Sequence, residues 1–174
     1  MRRLTTSDYR RMPWKNGGGT TTELVVEPLP DAARFLYRAS IADVAADGPF
    51  SRFEGYDRHI VLLEGAGMTL ACGAHGDITL ARHAPRTFSG DWPVNGRLTA
   101  GPVRDFNLMV DRAHATSSLE VRSLSGELVV GASGTAIVHV LEGVLEGAAV
   151  GDTLVGTGSI RGRATIVIGN VSRV

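Results

Sequence analysis

Two features of this chain bring together side chains that could do chemistry. The first is Met12-Pro-Trp-Lys-Asn-Gly-Gly-Gly-Thr-Thr-Thr-Glu23, which gathers a large aromatic, a cation, an amide and three glycines in one short segment. Consecutive glycines reach positive φ and let the backbone approach another group closely, while contributing almost nothing to a core. Such a segment reads as a site loop, with Trp14, Lys15 and Asn16 presented before it and Glu23 after it; a plain turn into a strand is the alternative. Lys15 is the sole lysine of the chain, a further pointer to a role there. The second feature is polar residues at alternate positions of otherwise apolar runs. Asp105 and Asn107 alternate with Phe106 and Leu108, Arg38 and Ser40 lie between Leu36 and Ala42, and Glu23 lies between Thr21 and Val25. Period-2 spacing puts each such pair on one face of a strand, where burial is costly unless the groups are hydrogen-bonded. A solvated outer face explains any one of these strands; three together fit a polar pocket better.

The elements that must position these residues are β-strands. Runs rich in Val, Ile, Leu and Thr, bounded by Gly, Pro, Asp or Ser, predict strands at Thr20–Glu27, Phe35–Val44, His59–Leu63, Met68–Ala71, Ile78–Ala81, Val103–Val110, Leu119–Leu124, Leu128–Ala132, Ala136–Leu141 and Ala164–Val171. No stretch carries a helical stripe over three turns, so the fold class is all-β, a sandwich or barrel. With 174 residues there is room for one sizeable core or two small lobes. Lys plus Arg equals Asp plus Glu at 18 each, which disfavours nucleic acid and anionic membrane as partners. Cys72 is the only cysteine, so an intrachain disulfide and a Cys-based zinc cluster are excluded. The N-terminus lacks a signal-peptide pattern and no run reaches membrane-spanning length, so a cytoplasmic location is expected.

A weak internal repeat sharpens the architecture, with chance similarity between Val- and Leu-rich strands as the alternative. Ile60-Val-Leu-Leu-Glu-Gly65 is echoed by Val138-His-Val-Leu-Glu-Gly143, and each copy is followed by a Gly-Asp step, Gly76-Asp77 and Gly151-Asp152. This order of strand, Leu-Glu-Gly, strand, Gly-Asp and strand resembles the cupin fold, a small antiparallel β-barrel with a ligand or metal at its mouth. Two copies imply a bicupin, with a first barrel over residues 1–112 and a smaller, structural one over 113–174 that shares strands with it. More specifically, the chain resembles the HutD/Ves family of cupins. The residues that carry this are Met12-Pro-Trp-Lys-Asn-Gly-Gly-Gly19, Arg38-Ala-Ser-Ile-Ala42, Asp47-Gly-Pro-Phe-Ser51, Gly55-Tyr-Asp-Arg58, Gly65-Ala-Gly-Met68 and Asp105-Phe-Asn-Leu-Met109. Glu54-Gly55 departs from the Pro-Gly of many relatives and should affect a turn more than a site.

Metal-binding cupins use His-x-His, then a glutamate, then a glycine. Counting back from Gly65 places Arg58 where that glutamate would be and the histidines near Ser51 and Phe53; counting back from Gly143 gives Ala136. Neither copy holds the usual ligand set, so no metal and no cofactor are expected. The five histidines, His59, His75, His83, His114 and His139, lack ligand spacing; His75 and His83 could meet across a turn, with a surface role as the favoured alternative. Arg58 then stands as a permanent, planar cation at a barrel mouth, suited to bidentate carboxylate binding; an internal salt bridge with Asp57, Asp105 or Glu23 is nearly as good a reading. The expected pocket has Arg58 and Lys15 as cations, Asn16 and Asn107 as amides, and Glu23 and Asp105 as orienting acids beside Arg38 and Ser40. Trp14, Phe50 and Phe106 would supply flat walls, with the two phenylalanines also reading as core. Such a constellation suits a small carboxylate-bearing metabolite. The resemblance implies histidine utilisation as the setting, with urocanate or formyl- or formiminoglutamate as the acid sensed or sequestered. A cofactor-free hydrolase or isomerase using Glu23 or Asp105 as base, and a Ves-like stress-induced protein, are the alternatives. No catalytic residue is assigned. The mouth segment of the second copy, Gly131–Ala136, looks too small and apolar for a site. A homodimer through edge strands is the expected assembly.

Overall fold

A computed structural model describes residues 1–30 and 33–174. The strands, in chain order, are β1 (Arg2–Leu4), β2 (Arg10–Pro13), β3 (Gly19–Pro28), β4 (Phe35–Val44), β5 (Gly48–Pro49), β6 (Tyr56–Glu64), β7 (Met68–Ala71), β8 (Asp77–Leu80), β9 (Arg86–Ser89), β10 (Asn95–Leu98), β11 (Val103–Asp111), β12 (Ala115–Val130), β13 (Thr135–Leu145), β14 (Ala148–Ala149), β15 (Thr153–Gly156) and β16 (Gly158–Arg173). Gly73–His75 forms a single 3-10 turn. Among the described residues no helix is long and apolar enough to cross a membrane.

Two compact units result, Arg10–Ala113 and Met1–Tyr9 with His114–Val174. Each sheet draws its strands from one unit, so the expected strand sharing is not seen among the described residues. The first nine residues, which the sequence reading placed with the N-terminal barrel, instead belong to the C-terminal unit. There β1 pairs with β15 from Arg2↔Val155 to Leu4↔Thr153. The Tyr9 hydroxyl lies 2.8 Å from Thr153 Oγ1 and donates to the Gly151 carbonyl at 2.8 Å.

In the unit Arg10–Ala113, a six-stranded antiparallel sheet runs β2-β3-β4-β11-β6-β9 and a four-stranded one runs β5-β10-β7-β8. Met68, Leu70 and Leu80 of the smaller sheet pack with Ala42, Ile60, Leu62 and Val103 of the larger one. The short strands β2, β9 and β10 escaped the sequence reading because they are polar and only four residues long. Their extended state comes from their partners rather than from their own propensity.

In the C-terminal unit the sheet runs β1-β15-β13-β16-β12 with β14 on β13, around Val138, Val140, Leu145, Ile166 and Ile168. Leu119–Leu124 and Leu128–Ala132 are not separate strands: β12 is continuous through Ser125-Gly126-Glu127, with Gly126 at φ 114° paired to Gly162. The apparent turn is a bend within one long strand, and the Glu127–Arg161 ion pair at 2.8 Å sits beside it.

The internal repeat is structural down to its irregularities. The β6–β11 ladder skips Leu63, and the β13–β16 ladder skips Leu141, the same place in both copies. A bulge inserts one unpaired residue and bends the strand. Gly65 and Gly143 follow at φ 103° and 79°. A Cβ on Gly143 would collide with the Arg163 carbonyl oxygen. Gly143→Ala is therefore expected to destabilise the protein by about 2 kcal/mol or more, from left-handed backbone strain plus the clash, as read by urea denaturation.

Candidate functional site

The register aligns the polar residues across the larger sheet. Glu23, Ser40, Asn107 and Ile60 form one row over β3, β4, β11 and β6; Arg38, Met109, Arg58 and Phe88 form the next over β4, β11, β6 and β9. Directly paired residues project to the same face, so alternation that each strand shows alone becomes one surface. Where the smaller sheet packs against this face it is apolar. Beyond that cover lies a cavity of about 570 Å³, lined by Met12, Trp14, Thr21, Arg38, Ser40, Phe50, Phe53, Arg58, Asn107 and Met109, with Lys15 and Asn16 also on its wall.

Arg58 sits at the bottom of this cavity, 5% exposed. It donates Nη1–H to the Ser51 carbonyl at 3.1 Å and Nη2–H to Asn107 Oδ1 at 3.0 Å. Its guanidinium lies 4.9–5.6 Å from the centroids of Phe50, Phe53 and Phe88. Burial pulls its pKa down to about 10, opposed by the charge of Asp105. None of the three suggested salt bridges forms. Asp57 pairs with Arg112 at 3.1 Å, Glu23 pairs with Arg38 at 2.6 Å, and Asp105 reaches Arg58 only through Asn107.

Asp105 is fully buried. Asn107 Nδ2 donates to its Oδ1, while its Oδ2 has no hydrogen-bond partner. Burial pushes the Asp105 carboxyl up to about 7, against the lowering effects of Arg58 and the Asn107 hydrogen bond. With Nδ2 directed to Asp105, the Asn107 amide has its Oδ1 turned to Arg58, so a buried acid, an amide and a buried cation form one chain.

The other expected site residues divide clearly. Trp14 lines the cavity and donates Nε1–H to Thr21 Oγ1 at 2.8 Å. Lys15 and Asn16 are exposed on the loop between β2 and β3, where Asn16 Oδ1 accepts the Gly18 N–H at 3.0 Å. That loop needs its glycines: Gly17 has φ 72°, and a Cβ on Gly19 would lie 2.5 Å from the Asp43 carbonyl oxygen. Phe50, Arg38 and Ser40 line the cavity. Glu23 does not line it and is held by Arg38; Asp105 lies beneath Asn107 rather than on the surface. Phe106 is a correction. Strand alternation turns it to the opposite face with Leu108, both fully buried, so it is core and not wall. Ser51, Phe53, Thr21 and Met109 also line the cavity and were not singled out as binding residues. Ser51 and Phe53 were legible only as the places where a cupin would carry metal-binding histidines.

Those places bear directly on metal chemistry. A backbone carbonyl, a phenyl ring and a guanidinium occupy them, and a cation does not bind a cation, so this donor set does not suit a divalent metal. His75 stacks on Trp92 at 4.2 Å rather than meeting His83, and His59 and His139 each have a ring nitrogen beside a threonine hydroxyl, at 2.8 and 3.0 Å.

The second copy supplies an internal control. Counting from the shared bulge, Arg58, Asp105 and Asn107 correspond to Ala136, Ile166 and Ile168, all buried apolar residues. The fold closes without the polar chain, so its presence in one unit alone points away from a scaffold requirement. The C-terminal unit does hold a shallow cavity of about 450 Å³ near Gly131–Ser133, lined also by Ser118, Glu120, Arg122 and Asn170. It is more polar than the sequence of its mouth segment suggested.

These antiparallel sheets, with a buried arginine at the base of a pocket in the Arg10–Ala113 unit, define an all-β protein of cupin-like fold. A Cupin 2 conserved barrel domain protein from Leptotrichia buccalis is 10% identical and superposes over 92% of this chain and 95% of its own with a TM-score of 0.58, a likeness of fold alone. The chain belongs to the HutD family, whose model, described as HutD, matches residues 6–163. It is 39% identical over 140 residues to Protein Ves of Cronobacter sakazakii, covering 78% of this chain and 75% of that one. It is 42% identical over 106 residues to an uncharacterised 21.2 kDa protein in the hutC 3′ region of Pseudomonas putida. That match covers 61% of this chain and only 56% of the Pseudomonas putida protein. A structure of HutD from Pseudomonas fluorescens SBW25, in a formate condition, superposes with a TM-score of 0.87 at 31% identity, over 99% of this chain and 98% of that one.

Proposed function

We propose that this chain is a metal-independent binding protein for a small carboxylate metabolite, acting as two fused cupin-like barrels of which the first carries the site. The observation that carries the reading is Arg58: a buried guanidinium with no ion-pair partner among the described residues, held by two neutral oxygens at the base of an open cavity. A buried cation without a paired anion is costly, and a ligand carboxylate would offset that cost with charge-assisted hydrogen bonds. Trp14, Phe50 and Phe53 flank the space above it and suit a planar or elongated acid. The name of the Pseudomonas putida relative associates it with a histidine-utilisation gene region, so urocanate, formylglutamate and formiminoglutamate head the candidates. By sensing or sequestering such an acid in the cytoplasm, the protein would modulate histidine utilisation.

Turnover has less support. The two acids suited to act as bases are engaged: Glu23 with Arg38, and Asp105 beneath Asn107. A thermal-shift panel of urocanate, formylglutamate, formiminoglutamate, glutamate and formate, with EDTA throughout, tests the reading. A ligand at about one hundred times its dissociation constant adds about 2.7 kcal/mol, a rise of roughly 5–10 °C for a chain of this size. A rise with one acid supports the proposal. A flat panel removes histidine-pathway acids as ligands.

A further inference from the structure

Among the described residues the three sheets end on six strands, two to a sheet, and five of these are blunt, as is the two-residue β14 lying off that path on β13. β1, β2, β5, β8 and β9 are two to four residues long. Short edges are how soluble proteins keep unpaired backbone groups from templating association. The sixth, β12, is different. It runs sixteen residues, pairs along its whole length with β16 on one side only, and contains no proline. Thr116, Ser118, Glu120 and Arg122 are exposed on one of its faces, and Leu119 and Val121 are half-buried on the other.

The order of charges on this strand is self-complementary. When two copies of one strand pair antiparallel about a two-fold axis through residue n, residue n − 1 faces residue n + 1 of the other copy. An axis through Val121 sets Glu120 opposite Arg122 of the partner subunit, and Arg122 opposite Glu120 of the partner subunit. Moving the axis by one residue shifts the pairing by two and keeps every side chain on its face, but it sets Glu120 against Glu120 of the partner subunit in one direction and Arg122 against Arg122 of the partner subunit in the other. Directly opposed residues in an antiparallel pair stand about 5 Å apart at Cβ, close enough for opposite charges to stabilise and like charges to repel. Neither Glu120 nor Arg122 has an ion-pair partner within the chain among the described residues.

We propose that β12 is the homodimerisation edge of this protein, pairing with β12 of a second copy about a two-fold axis at Val121. The committed occupant is thus another copy of this chain, joined edge to edge into one continuous sheet. A closed, isologous contact of this kind satisfies the free edge of both subunits at once.

Sedimentation velocity on the full chain, with Glu120→Arg and the double swap Glu120→Arg/Arg122→Glu, decides it. The wild type should sediment as a dimer. Glu120→Arg places arginine opposite arginine at two symmetry-related positions and should raise the dissociation constant about tenfold or more. The double swap restores both opposed pairs and should return the dimer. A monomeric wild type overturns the proposal, as does a dimer indifferent to Glu120→Arg. A double swap that stays dissociated overturns the Val121 register. Unchanged circular dichroism and melting of each variant separate loss of pairing from loss of folding.

Discussion

Arg58→Met is expected to abolish carboxylate binding while leaving the fold standing. Methionine matches much of the length of arginine and keeps a polarizable sulfur among Phe50, Phe53 and Phe88, where such contacts are favourable. What disappears is the charge and the two hydrogen bonds to the Ser51 carbonyl and Asn107 Oδ1. Exchanging a buried charge for a well-fitting apolar group is often near-neutral for stability, because the desolvation cost of the ion disappears with it. Folding stability should therefore shift by no more than about 2 kcal/mol. Binding has no such compensation: losing one partner of a desolvated charge pair costs about 2–5 kcal/mol. That corresponds to an affinity loss of roughly 30-fold to several thousand-fold. Isothermal titration with the acid that gives the largest thermal shift reads this directly. Affinity within threefold of wild type would take Arg58 out of the binding site.

The sequence made the site legible where its logic is local. Period-2 alternation is a property of one strand, and it placed Arg38, Ser40, Asp105 and Asn107 on the faces that the structure brings together. It could not say how deep each residue lies. Asp105 and Asn107 are two residues apart on one face, yet only Asn107 reaches the cavity. The smaller sheet, built from residues far away in sequence, decides where the covered part of the face ends. The assignment of Phe106 to the pocket wall contradicted the same alternation that found its neighbours, and the alternation prevailed. At the fold level the repeat was readable because Leu-Glu-Gly and Gly-Asp mark a bulge and turns, which have strict backbone requirements. The continuity of β12 was not, because Gly126 signals a turn equally well as a bend; only its pairing with Gly162 distinguishes the two. The blunt edge strands carry no pattern of their own and are specified by the strands beside them.

The internal control in the C-terminal unit gives the polar chain its functional weight. Two copies of one supersecondary pattern bulge at the same residue, and one fills the equivalent positions with Ala136, Ile166 and Ile168. Burying an arginine, an aspartate and an asparagine at those positions therefore costs stability that the architecture does not demand. Groups held at such a cost, with Arg58 Nε and Asp105 Oδ2 without hydrogen-bond partners among the described residues, are what the proposed binding role would account for.

That cost should be visible as a pH dependence centred on Asp105. Its carboxyl titrates at about 7 in the folded chain, against an ordinary value of 3.8. Between those values the folded state holds a proton that the unfolded state has released, so stability falls as pH rises. The favourable contribution is complete below about pH 4 and is lost as pH passes through 7, with a ceiling on the order of 4 kcal/mol. Arg58 and the Asn107 hydrogen bond oppose the shift, while Asp43 reinforces it. Buried His59 works in the other direction, because burial lowers its pKa and its contribution is lost as pH falls below its ordinary value of 6.5. Comparison with Asp105→Asn cancels the His59 effect. The stability of the variant relative to wild type should climb between pH 5 and pH 8 and then level off, as measured by urea denaturation across that range. A difference that stays flat would mean that Asp105 is already ionised at pH 5. Ligand binding should carry the same signature: a carboxylate on Arg58 adds negative charge near Asp105 and favours its protonated form. Affinity should then weaken as pH rises through 7 in the wild type, and stay constant in Asp105→Asn.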